Sequence, residues 1–432
     1  MTTCRPATRT LNCRSMRRGR SDCRQAVIAL SLVWLLVIVV LLGAWVINWN
    51  YFVLVNRNMQ QKTDVIALAA ATELLDEDRL RDYPGPLPLG PDQTNDFADA
   101  VTVANQFREA NNKVGSSAFC IDADDIFIES GYVVDVTGKS TPYAFEDARA
   151  LPDPVPPPPS PDPQHNTLHI CAQRPADGNH PVRYILDGFS ADSPRAVDVR
   201  GGAYATLDDL LVGFQPTTKA NAPVVPIAIQ LDAWNTERAN GPDDYPTTPT
   251  PGNQIRELKL RLAKTGIDPT DANAALVFFN GVIDVTDLAS RILVGLSQGD
   301  LPPAGQLGPV TTTSPWPLPA IQWVNPDGYP GLNSDLAAAL NATADSANPK
   351  RVFPLYATFT DTFPTEDGEG TTQLIGFVAA TIYHAQVNAT DNRLTVDIEP
   401  RSIVHHTAWT VAPNHWSTPN RNSYIYKVRI SH

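Results

Sequence analysis

The chain has 432 residues, including 39 prolines and 25 glycines, and a formal net charge of −13. Of its 33 basic and 46 acidic residues, seven and one fall in the first 25, so the remainder stands at −19. That excess of negative charge disfavours nucleic acid and anionic lipid as partners, and the Pro and Gly content predicts many turns and long connections.

A basic tail, residues 1–25, comes first. Its arginines are Arg5, Arg9, Arg14, Arg17, Arg18, Arg20 and Arg24, against the single acid Asp22. Residues 26–48 follow as a transmembrane helix. Ala26 to Ile47 contains no charged residue, and Ser31 carries its only hydroxyl. About 20 apolar residues suffice to cross the hydrocarbon core as a helix. The arginine bias places the N-terminus in the cytoplasm and the rest outside. Trp45, Trp49 and Tyr51 stand where an outer aromatic belt belongs. The apolar run exceeds a signal-peptide core of roughly 7–15 residues, and no Ala-x-Ala-like cleavage site follows it, so a retained single-pass anchor is expected.

Residues 49–82 read as an extension of that helix. Val55, Met59, Ile66, Ala70 and Leu74 recur at helical spacing and form one stripe. Arg57, Gln60, Gln61 and Asp64 lie opposite, with Gln60 and Asp64 placed to interact at i, i+4. No proline occurs between Ala26 and Leu75, and Gly43 is the single glycine there. The stop comes at "RDYPGPLPLGP". Fifty residues of helix would be about 75 Å long. Such a stripe needs a cover, which either a partner helix or the protein's own exported part could supply.

The stretch resembles the N-terminal signature of the TadE/TadG-like proteins of tight-adherence (Flp) pilus assembly. In that family an Arg-Arg-Gly leader precedes a membrane helix, and a Leu-Gln-Asn-Ala-Ala-Asp-Ala-Ala-Ala-Leu-Ala-Gly-like run follows it. This chain has Arg17-Arg18-Gly19 and then "MQQKTDVIALAA", residues 59–70, in which Gln60, Asp64, Ala67, Leu68 and Ala69 match. Asn48 stands where family members often carry an acid, Asn50 replaces a nearby glycine, and the leader lies farther from the apolar run. No prepilin-type cleavage pattern is present. The resemblance covers roughly residues 15 to 75. It implies a bacterial inner-membrane protein with a periplasmic or extracellular C-terminal region, protein partners in a pilus or envelope assembly, and Gln60, Asp64, Ala67, Leu68 and Ala69 as partner-interaction residues.

The exported part reads as α+β: a long N-terminal membrane-spanning helix followed by a large β-rich region with a few helices. Residues 83–150 form an α/β segment, 151–164 a Pro-rich connector and 165–432 a β-rich domain; the connector could instead be a long loop within one sheet. "NDFADAVTVANQFREANNK" (95–113) predicts a helix capped by Asn95 or Asp96. "DIFIESGYVVDV" predicts a strand or bent strand pair, and "TLHICAQR" and "VRYIL" predict strands. The strand-rich stretches "GGAYATLDDLLVGFQP" and "APVVPIAI" come next. "RELKLRLA" predicts a half-exposed strand with Leu258, Leu260 and Leu262 on one face. "AALVFFNGV" reads as a buried strand, and "DVTDLASRILVGL" and "NSDLAAALNATA" read as helices. From Arg351 the pattern is nearly all strand, with a hairpin turn at "NATDN".

Apparent chemical motifs fail on context. Gly295-Leu296-Ser297-Gln298-Gly299 has the form of a hydrolase nucleophile elbow, but a helical pattern precedes it where a strand is required. "VTGKST" (136–141) lacks the first glycine of a phosphate loop, since Val133 occupies that place. Asp135 to Lys139 compares with the D-x-S-x-S metal site of the von Willebrand factor A domains that larger TadG-like proteins can carry. Lys139 would set a positive charge where a ligand belongs. His405 and His406, with His415, form the one histidine cluster. Neighbours on a strand point to opposite faces, so exposed strand histidines are expected and not metal ligands. "DADD" (122–125) and "TEDGEGT" (366–372) lack calcium-loop spacing. No cofactor is expected.

These readings describe a non-enzymatic, membrane-anchored structural or accessory component of a pilus (Flp/Tad-like) or envelope assembly. The alternatives are a carbohydrate- or protein-binding module on a helical stalk, or an exported hydrolase. Cys120 and Cys171 are expected to stay unbonded. If "DIFIESGYVVD" and "TLHICAQR" pair as a hairpin, Cys171 falls near residue 130, roughly 30 Å of extended strand from Cys120. The orientation has a direct check. A reporter active only outside the cytoplasm should work when fused after Leu75 and fail when fused at Arg20; the opposite pattern would reverse the topology.

Overall fold

The computed structural model describes residues 16–75, 80, 95–114, 120–132, 146–147, 166–177, 181–185, 196–242, 255–262, 272–302, 305–310, 314–321, 331–361, 369–410, 422 and 424–431. The Pro-rich connector, the stretch 135–141, His415 and residues 366–368 lie outside them.

Helix α1 (Met16–Ala71) runs without interruption for 56 residues and closes in a 3-10 turn, Thr72–Leu74. With no proline to remove a hydrogen bond, nothing breaks it. It is long and apolar enough to cross a membrane, and its large side chains from Val27 to Trp49 are bare. The helix ends short of residue 82. Leu75 is already extended, and Leu80 is buried in a second core, where its carbonyl accepts from Arg238 at 2.6 Å. Helix α2 (Asn95–Val114) packs on α1. Asn95 is its first residue.

The strands then follow as β1 (Ile126–Tyr132), β2 (Glu146–Asp147), β3 (Thr167–Arg174), β4 (Val182–Arg183), β5 (Ala196–Val197), β6 (Val199–Asp208), β7 (Leu211–Phe214) and β8 (Ile227–Gln230). After α3 (Leu231–Asn240) come β9 (Leu258–Arg261), β10 (Ala274–Val277), α4 (Leu288–Val294), β11 (Trp316–Ile321) and α5 (Leu332–Ala344). The chain ends in β12 (Lys350–Asp361), β13 (Glu369–Val387), β14 (Leu394–Pro400), β15 (Ile403–Val404), β16 (Ala408–Thr410) and β17 (Ile425–Ser431). "VRYIL" supplies only the two residues of β4, and "SIVHHTAWTV" is broken at 405–407, where the Ala408 N–H donates to the His405 carbonyl.

Two large sheets organise most of these strands, and β7 with β16 and β4 with β5 form separate two-stranded ones. The first has the order β15-β17-β6-β3-β1-β2 and lies under α1. β1 and β3 pair as the expected hairpin, but Cys171 sits opposite Phe127 instead of near 130. The observed register points Ile126 and Ile128 to the same face as Leu168, Ile170 and Ala172, where α1 covers them. A slip of an odd number of residues would turn those isoleucines away from the core. Neither Cys120 nor Cys171 is joined in a disulfide. β1 pairs with β2 on one side and with β3 on the other, so the strands that precede and follow residues 151–164 belong to one sheet.

The second sheet has the order β11-β10-β8-β12-β13-β14-β9, and β11 also pairs with β13. Strands β11, β10, β8, β12 and β13 therefore close into a ring, which removes most free edges. β9 keeps Leu258 and Leu260 inward with Lys259 and Arg261 outward, and β10 is buried throughout. α5 packs on β13, and α4 on α5. Asn388 donates its N–H to the Arg393 carbonyl across the "NATDN" hairpin, with Asn392 left-handed at φ 50°.

The chain visits the first sheet twice. It leaves after β6, builds the closed ring, and returns through β15 and β17, which pairs antiparallel to β6. Ile425 of β17 joins the ring's core and Tyr426 the core under α1. The alternation of one strand thus ties the two cores together.

A buried polar cluster braces β13 against β14. A register shift between Ile382 and His384 isolates Tyr383, as a bulge does. The Tyr383 hydroxyl donates to Glu399 at 2.9 Å, and Arg401 meets the same carboxylate at 2.8 Å. Glu399 is wholly buried. Burial, with Glu399 adding to it, pushes the Tyr383 phenol up to about 12, although Arg401 opposes the shift. Removing one partner of a buried pair costs about 3–5 kcal/mol. Arg401→Met should therefore lower stability to chemical denaturation by that order, and adding Glu399→Gln should restore much of the loss.

Candidate interaction site on the long helix

The C-terminal part of α1, from Tyr51 onward, presents two unlike faces. Val55, Met59, Thr63, Ile66, Ala67 and Ala70 are fully buried. Their cover is the protein's own sheet: Leu168, Ile170 and Ala172 of β3 and Val199, Ala203, Ala205 and Leu207 of β6. The small residues on both sides bring the helix close. A Cβ on Gly201 would lie 2.9 Å from the Thr63 hydroxyl and 3.1 Å from the Met59 carbonyl. That hydroxyl itself donates to the Met59 carbonyl at 2.9 Å.

Gln60 fastens the same contact. Its amide NH₂ donates to the Gly202 carbonyl at 2.7 Å and to Asp64 at 2.8 Å, and its oxygen accepts the Gly202 N–H at 3.3 Å. Gly202 lies beyond the last β6–β17 pair, Tyr204 with Ser431. Gln60 thus satisfies both backbone groups as a strand neighbour would. On the flank, Lys62 donates to the Asn111 carbonyl of α2 at 3.3 Å, and burial pushes its pKa below the usual lysine range.

The opposite face is exposed. Leu54, Val65 and Leu68 are 57%, 46% and 42% accessible, and Arg57 and Gln61 share their side of the helix. At 100° per residue these five positions fall within one narrow stripe. Of the signature residues, Leu68 lies on the stripe and Ala69 is half-buried beside it. Gln60, Asp64 and Ala67 serve the contact with the sheet. Their conversion to internal contacts follows from the register of β6, which carries no local signal in the sequence.

Elsewhere the apparent motifs resolve into structure. Gly295, at φ 78°, ends α4, and the Ser297 hydroxyl donates to Asp300 at 2.6 Å in a capping box that Arg291 joins at 2.9 Å. Residues 123–125 form a single 3-10 turn, and no group of three metal-binding side chains occurs among the described residues. The histidines differ from the strand expectation. At the 405–407 bend the His405 and His406 rings stack on one side, 4.6 Å apart. His405 Nδ1 accepts from the Thr407 N–H at 3.3 Å and lies 2.8 Å from its hydroxyl. Burial, then His406, holds its pKa down to about 4, so it is neutral at physiological pH.

The face of the first sheet away from α1 carries a row that sequence reasoning missed. Glu129, His169 and Tyr204 are register partners on β1, β3 and β6. His169 lies 3.3 Å from the Glu129 carboxylate and stacks on Tyr204 at 4.2 Å. Burial, then Glu129, raises the Tyr204 pKa. The row braces three strands; its members are 40 and 35 residues apart, so only pairing unites them.

Comparison with protein-family models, with curated proteins and with solved structures finds no match to this chain.

The close approach at Gly201 can be tested. Overpacking typically costs about 1–3 kcal/mol, so Gly201→Val should lower the unfolding midpoint and expose residues 51–75 to protease. Gly43→Ala, whose Cβ meets nothing within 4 Å, should leave both unchanged.

Proposed function

We propose that this is a single-pass membrane protein, N-terminus cytoplasmic and body exported from a bacterial inner membrane, that works without catalysis as a structural or accessory component of a pilus (Flp/Tad-like) or envelope assembly. The observation that carries this reading is the exposed stripe Leu54, Val65 and Leu68 on a helix continuous with a bare apolar span. Because the sheet grips the other face, the stripe is displayed at a fixed height and rotation above the membrane. A helix held that way loses little further freedom when a partner helix packs on it. The signature matches Gln60, Asp64 and Ala67 would act indirectly, by setting that rotation. The burial of those same residues favours a second reading, in which α1 is the stalk of a carbohydrate- or protein-binding module.

Crosslinking in native membranes from positions 65 and 68 separates the two. Val65→Lys and Leu68→Asp should each abolish a captured protein band that the unmodified chain gives. Exposed substitutions usually change stability by less than about 0.5 kcal/mol, so the body should remain folded and protease-resistant. A capture pattern indifferent to both substitutions would favour the stalk.

A further inference from the structure

After β3 the chain runs back down α1 in one short element. Val182 of β4 is seated in the core beneath the helix, and β4 pairs with β5. Just beyond it, the Tyr184 ring packs edge-on against Phe52 at 4.8 Å, and the Ile185 N–H donates to the Asn48 side-chain oxygen at 3.0 Å. Asn48 follows the last residue of the apolar run, between Trp45 and Trp49, whose rings stack 6.1 Å apart. Those tryptophans are 63% and 60% accessible, and the Ile185 side chain is 54% accessible.

We infer that Ile185 is a second membrane contact, inserted at the boundary of headgroups and acyl chains beside the outer tryptophan belt. The inference rests on the reading of α1 as a membrane anchor. Trp is favoured at that depth because one end of the site is apolar and the other wet, and a bare isoleucine whose N–H is bonded to Asn48, between those two tryptophans in the chain, meets similar surroundings. The occupant is the lipid of the membrane that α1 crosses, since the peptide N–H of Ile185 is bonded to a residue at the helix's point of exit. The contact is apolar, so it needs no anionic headgroup and is compatible with the acidic body. Its consequence is orientation. A lone helix can tilt and rotate about its axis, whereas an anchor with a lateral foothold holds the body, and the Leu54–Leu68 stripe, in one attitude to the membrane.

The full chain in phosphatidylcholine nanodiscs, with a benzophenone amino acid in place of Val37, Ile185 or Val65, tests this. Position 37 lies in mid-span; position 65 lies on the same helix about 25 Å beyond Asn48. Lipid adducts detected by mass spectrometry at 37 and 185, with at least a tenfold lower yield at 65, are expected. Adducts at 37 with none above the position-65 level at 185 would overturn the foothold while leaving the anchor intact. A protein adduct at 185 in place of lipid would overturn it as well. Absence of lipid adducts at 37 would overturn the anchor itself, and the foothold with it.

Discussion

The seating of α1 on β6 is the contact on which the rest depends. In water an isolated helix of this composition gains little stability. What holds Tyr51 to Leu74 is a flat, small-residue surface, Gly201, Ala203 and Ala205, meeting Val55, Met59, Thr63 and Ile66. Gly201 permits the approach, and Gln60 locks its height by bonding both backbone groups of Gly202. A slide of one residue along the helix would turn each of these side chains by 100°, so the fit admits a single rotation.

From that fit follows the relation of body to helix. The sheet under α1 is completed by β17 from the far end of the chain, and β17 shares its alternate residues between the two cores. The closed ring is thereby an insertion into the helix-bearing unit. The Asp208 carboxylate, buried where the chain departs, accepts from Arg429 at 2.8 Å, and Arg429 also reaches Thr410 at 2.6 Å. This ion pair closes the point where the chain leaves and returns, between β6, β16 and β17. Forces applied through α1 therefore reach the ring through paired strands and not through a flexible linker.

Local order was legible where a residue's own neighbours decide it. The long helix, the α5 segment, the alternation of Leu258 and Leu260 and the "NATDN" hairpin all follow from periodicity or turn chemistry within a dozen residues. The failures have a common cause. His405 and His406 were read as strand residues because their flanks alternate, yet the return of the chain from β15 to β16 bends at that point and puts both rings on one side. The helix ends at Leu74, close to the expected Leu75, but Leu80, grouped by the sequence with the helix extension to 82, is drawn into the ring's core by packing and by Arg238.

By itself the sequence determined that a charge-free apolar run leads unbroken into an amphipathic helix, that a β-rich acidic body follows, and that the stripe from Val55 to Leu74 must be covered. These are properties of period and composition, which the chain carries locally. Which surface covers the stripe, how Cys171 comes to face Phe127, and how Glu129, His169 and Tyr204 form one row were decided only in the tertiary structure. The reason is physical: strand register is a relation between segments far apart in the chain. A shift of one residue exchanges the two faces of a strand and leaves the composition of both segments unchanged.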